Sequence, residues 1–152
     1  MTQEQKDLLL KDLCARLDTN LVCSIYRTDD ECVGYRDEIL HGYCKGDIWY
    51  EFYFREDCSI SIDNVSKIKP YLFPLSSMTV EQREEFVKFA DYETKLEDCG
   101  RHKELYYYDL VGHENNLYPN SDAIDWLNKN HFDYRGLIEK SLALDATNLN
   151  IY

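Results

Sequence analysis

Residues 48–55, Ile-Trp-Tyr-Glu-Phe-Tyr-Phe-Arg, constrain this chain more than any other stretch. Five aromatic rings within eight residues crowd a helix surface but suit a pleated strand, where successive side chains point to opposite faces. With a period of two, Ile48, Tyr50, Phe52 and Phe54 share one face, while Trp49, Glu51, Tyr53 and Arg55 share the other. The first face is a core face. The second carries two amphipathic rings beside an arginine, the residue types enriched at binding hot spots and on stacking platforms.

The neighbouring segments supply partners for that strand. Leu21 to Arg27 is rich in strand formers, and Thr28-Asp29-Asp30-Glu31 turns the chain into a second extended run from Cys32 to Tyr43. Lys45-Gly46-Asp47 leads into the octapeptide, and Ser59-Ile60-Ser61-Ile62-Asp63 alternates polar and apolar as a half-buried strand does. Four strands in succession predict an antiparallel meander. A fifth is predicted over residues 104–111, around Tyr106-Tyr107-Tyr108. Pro70 and Pro74 lack the amide proton a ladder needs, so residues 67–75 are expected to form an apolar crossover rather than a central strand.

Helix signals flank this sheet. Thr2 and Gln5 have capping-box spacing before Leu9, Leu10, Leu13 and Leu17, which predicts an amphipathic helix over residues 3–17. Thr79 and Gln82 repeat that spacing ahead of Phe86, Phe89 and Ala90, and predict a second helix over about 80–97. Ser121 caps a third segment with Ile124 and Leu127, and residues 136–142 suggest its partner in a helical pair. The tail over 143–152 has no periodicity that decides between a strand and a surface segment.

The expected fold class is therefore α+β: an antiparallel sheet of about four to five strands, an N-terminal helix, a middle helix and a C-terminal helical pair. At 152 residues, with 44% apolar and 14% aromatic side chains, one domain spanning residues 1–152 has material for a good core. No apolar run approaches the roughly 18 to 20 residues that cross a bilayer, and the start is too polar for a signal peptide. A cytoplasmic protein with no membrane partner is expected.

Acidic side chains outnumber basic ones by 29 to 17, for a formal net charge of −12. Such a surface repels phosphate backbones and keeps a small protein soluble. It can also attract a basic partner surface at high on-rate. Direct nucleic-acid binding is not expected.

Few residues fall into patterns that carry chemistry. The six cysteines, at 14, 23, 32, 44, 58 and 99, lie at least nine residues apart, unlike the close pairs of structural zinc sites. Without an export signal they read as reduced, mostly buried thiols. His113-Glu114 begins like a zincin helix but lacks the second histidine a turn later, and no phosphate-cradling glycine pattern occurs. No metal, cofactor or catalytic residue is expected. Glu81, Glu84 and Glu85 read as a solvated helix face. What remains is the aromatic load, from which Trp49, Tyr53, Arg55 and Tyr107 are the candidate binding residues. In sheets such aromatics more often fill cores than bind ligands, and both readings stay open.

Residues 1–17, 68–79 (with Pro70-Tyr71-Leu72-Phe73-Pro74) and 125–140 (with Trp126-Leu127-Asn128-Lys129-Asn130) resemble small uncharacterised proteins of gut Bacteroidales and their prophages. The resemblance implies a phage or mobile-element origin and carries no activity. Three functions are expected in turn. The first is a non-catalytic interaction protein that binds a host protein. The second is a DNA mimic that inhibits a nuclease or restriction system, which demands a continuous acidic stripe. The third is a binder or sequestering protein for a nucleotide-like ligand, stacked on Trp49 or Tyr53 with Arg55 on phosphate.

Overall fold

A computed structural model describes residues 1–29, 32–45, 50–54, 58–89, 94–95, 106–107 and 121–152. The described residues form an α+β protein with three α-helices and a mixed sheet of seven strands. They fall into two compact units, one made of Met1–Leu72 with Arg135–Tyr152, the other of Phe73–Tyr134.

In the first unit, α1 (Gln3–Ala15) begins with the predicted capping box. The Thr2 hydroxyl accepts the Gln5 N–H at 3.2 Å, and the Gln5 amide oxygen accepts the Thr2 N–H at 2.9 Å. Two otherwise orphaned donors are thus satisfied. The helix buries Leu9 and Leu13 one turn apart, and ends two residues earlier than predicted, at Ala15 with Arg16 as its C-cap.

The meander forms as the alternation predicts. Strands β1 (Val22–Asp29), β2 (Cys32–Lys45), β3 (Tyr50–Phe54) and β4 (Cys58–Ser61) pair antiparallel in sequence order. Phe52 and Phe54 are completely buried, together with Cys23, Ile25 and Leu40.

The two prolines do not keep residues 67–75 out of the sheet, which corrects the expected crossover. Strand β5 (Ile68–Pro74) pairs antiparallel with β1 through Ile68, Lys69 and Pro70. Tyr71 and Leu72 then pair in parallel with β9 (Leu144–Asp145). Among the described residues no residue of β5 is paired on both edges, the edge-like setting in which a proline is tolerated in a sheet. Where β1 and β5 separate, the Tyr152 hydroxyl closes the gap. It accepts the Val22 N–H at 3.3 Å and donates to the Tyr71 carbonyl at 2.7 Å.

The predicted C-terminal helical pair is also corrected, because residues 137–142 form turns and not a helix. Lys140 N–H reaches the Gly136 carbonyl at 3.3 Å, but the next donor, Ser141 N–H, bonds Ile138 instead. Ser141 then turns left-handed at φ 59°. One helical turn is a nucleus without propagation, and burying Leu137 and Leu142 in the core satisfies the segment better than extending it.

Beneath this unit lies a charged cluster. Asp12 and Arg16, both completely buried, form a two-point pair with Arg16 Nε at 2.9 Å from Oδ2 and Nη2 at 3.2 Å from Oδ1. Arg135 Nε lies 3.3 Å from the same Oδ1. The forked guanidinium matches the carboxylate, which makes so deep a pair tolerable.

In the second unit, the Thr79–Gln82 capping box is present, with bonds of 2.9 and 3.2 Å, and opens α2 (Val80–Phe89). The predicted extension of this helix to residue 97 is corrected, since Thr94–Lys95 (β6) pairs antiparallel with Tyr106–Tyr107 (β7). The β-branched Thr94 suits the ladder better than a helix interior. Helix α3 (Ser121–Lys129) places Trp126 between Phe86, at 5.4 Å, and Phe132, at 5.7 Å and nearly parallel. Strand β8 (Phe132–Asp133) pairs in parallel with the end of β5 at Phe73 and Pro74.

Candidate functional site

Of the four predicted binding residues, the structure gives side-chain geometry for one. Tyr53 sits on β3 opposite Gly42 and Ser59, on the face away from Phe52 and Phe54, as the pleat requires. It is half-buried, and its hydroxyl lies 3.5 Å from Glu51 Oε2. Partial desolvation, reinforced by Cys44 and Glu51, pushes that phenol above the usual tyrosine range. Trp49 and Arg55 lie outside the described residues. Tyr107 pairs with Thr94, its side chain is not described, and it belongs to the other unit.

Among the described residues the most exposed large apolar side chain, Val33, lies elsewhere, on the β1–β2 pair. In that register Tyr26 faces Tyr35, Ser24 faces Asp37 and Val22 faces Ile39, on the side opposite buried Cys23 and Ile25. Val33 is 76% exposed, Tyr35 68% and Ile39 38%. The Tyr26 and Tyr35 rings meet at 5.0 Å with a 57° tilt, within the range aromatic pairs favour. At the foot of this face Tyr71 donates to Asp37 Oδ1 at 3.0 Å, and burial, then that bond, pushes its phenol up.

Backbone pairing explains the exposure. β5 accompanies β1 only to Ile25, and β3 accompanies β2 only from Leu40 onward. Between these limits, among the described residues, the two strands pair only with each other. Among the described residues they form a ribbon with no strand on either edge. The sequence does carry a signal for this overhang: the extended run beginning at Cys32 is longer than the octapeptide it faces. No aromatic cluster marks its alternation of Val33, Tyr35 and Ile39.

In the second unit, Glu85 from α2 and Asp122, Asp125, Trp126 and Lys129 from α3 are among the residues lining a cavity of about 440 Å³, three carboxylates against one ammonium.

Thiol chemistry gains no site here. Cys23 is buried and its thiol is pushed well above the ordinary range, by desolvation first and the Asp12 charge second. Cys14 is exposed and Cys44 half-buried, so of these three only one fits the predicted buried thiol. Among the described residues no group of His, Cys, Asp and Glu side chains is placed to hold a metal ion, and no helix is long and apolar enough to cross a membrane. Comparison with protein-family models, curated proteins and solved structures finds no match to this chain.

Proposed function

We propose that this chain is a non-catalytic interaction protein that engages a host protein through the outer face of the β1–β2 ribbon. The observation that carries this reading is the row Val33, Tyr35 and Ile39, apolar and exposed on one face of one strand. Exposed apolar side chains grouped on one face mark an interaction surface, here interrupted by Asp37 between Tyr35 and Ile39, and a tyrosine within the row is a typical anchor of protein interfaces. A two-stranded ribbon is marginal by itself, so a partner that packs on its face or edge stabilises both. The net charge of −12 and the acidic cavity on α2 and α3 favour encounter with a basic partner surface. The resemblance to small uncharacterised proteins of gut Bacteroidales and their prophages selects the host lysates for the test.

Affinity capture from Bacteroidales lysates tests this, comparing the wild-type chain with the Val33→Asp, Tyr35→Asp variant. The reading predicts a specific protein retained by the wild type, released as salt rises, and lost in a variant whose thermal melt is unchanged. Equal capture by both chains, or capture of nothing across several host lysates, removes it.

A further inference from the structure

Strands β1 and β5 stop pairing one rung short of what their register allows. They pair at Ile25–Ile68, Ser24–Lys69 and Cys23–Pro70, so continuing the register sets Val22 opposite Tyr71. The backbone groups of successive residues along a strand point to alternate sides. Leu21 turns its carbonyl to β2, where it accepts the Leu40 N–H at 2.8 Å, so Val22 and Ser24 turn their backbone groups to β5. Pro70, with no N–H to give, sits on the rung that needs none. The Val22–Tyr71 rung is therefore one that a direct N–H···O=C bond would close.

The Tyr152 hydroxyl occupies that rung instead. It accepts the Val22 N–H at 3.3 Å and donates to the Tyr71 carbonyl at 2.7 Å, the part a bridging water plays between two backbone groups. Tyr152 is 45% exposed, and residues 147–150 before it are exposed and belong to no helix or strand. Segments with so little buried surface open locally at low free energy. On the other side of the rung, Tyr71 donates its own hydroxyl to Asp37 Oδ1 at 3.0 Å, on the face of β2 that carries Val33, Tyr35 and Ile39.

We propose that Tyr152 is a removable wedge. With its hydroxyl seated the last rung of the β1–β5 ladder is held open, and with it withdrawn Val22 bonds Tyr71 directly. Closing the rung draws Tyr71 toward β1 and rearranges its bond to Asp37. A ligand that binds the withdrawn segment better than the seated one shifts the balance between the two arrangements. The wedge itself is independent of the proposed docking role; its use to regulate the ribbon face rests on that reading.

The test compares the wild-type chain with Tyr152→Phe, which keeps the ring and removes the hydroxyl, by nuclear magnetic resonance. Scalar coupling across the hydrogen bond, from the Val22 nitrogen to the Tyr71 carbonyl carbon, reads the rung directly. No coupling is expected in the wild type. It should appear in Tyr152→Phe, together with shifted amide resonances at Tyr35, Asp37 and Ile39. In a Tyr71→Phe background, which has no hydroxyl for Asp37, Tyr152→Phe should still close the rung but leave those three amides unmoved. Coupling in the wild type overturns the wedge without recourse to any variant, and so does its absence from a folded Tyr152→Phe chain. A closed rung with the amides at 35, 37 and 39 unmoved overturns the link to the ribbon face. Each readout is made on the chain alone, so a failure of host-protein capture leaves them unchanged.

Discussion

The two halves of the β1–β2 pair are built from similar residues and meet opposite surroundings. Near the base, Cys23, Ile25 and Leu40 are completely or almost completely buried; farther along, Val33 and Tyr35 are more than two-thirds exposed. Hydrophobicity alone does not separate them. What differs is company: β3, β5 and α1 cover the base, whereas the far half has only its own partner strand among the described residues. Apolar side chains at the base stabilise the fold, and those on the ribbon are available to something else.

Truncation at the two ends sharpens that contrast most. Phe52→Ala, at a fully buried position on the strand that covers β2, should cost about 3–5 kcal/mol. Tyr35→Ala loses a single tilted ring contact, and should cost roughly 1 kcal/mol or less. Urea denaturation of both variants measures the difference. Equal costs break the comparison, because Tyr35 would then be core.

The buried ion pair gives the next largest effect. Asp12→Ala leaves Arg16 without its carboxylate in a site sealed from water, and should destabilise by about 3 kcal/mol or more. Charge removal on the ribbon at Arg36, which is exposed, should change stability by about 0.5 kcal/mol or less.

Proton linkage produces a smaller and more distributed effect. Burial raises the proton affinity of Cys23, Tyr71 and Tyr152 in the folded chain above their ordinary values of 9.0 and 10.0. Above those values the unfolded chain has released protons that the folded chain retains. Stability is therefore full below about pH 8.5 and declines as pH rises through 9 to 10. Thermal melts across this range should show the decline, and Cys23→Ala should flatten its early part. A melting temperature that rises with pH in this window contradicts the assignment.

Much of the fold was legible because it rests on local rules. Both capping boxes form at Thr2 and Thr79, and the period-two runs become strands in the predicted antiparallel order. The failures lie where long-range context decides. The prolines of β5 are harmless only because its partners change along its length, and residues 137–142 give up a helix to bury Leu137 and Leu142. The candidate site was less legible. Tyr53 was placed on the correct face of its strand, but whether a ring is covered depends on which strands end first. The exposure of Val33, Tyr35 and Ile39 follows from the register at Ile25 and Leu40, which composition does not encode.

The central claim is that the outer face of the ribbon is where a partner sits. Site-specific photocrosslinking tests it most directly, with a benzophenone side chain installed at position 35 and, separately, at exposed Leu149. The account predicts one dominant protein adduct in host cells from position 35 and none of that mass from position 149. The same adduct from both positions, or from position 149 alone, contradicts it.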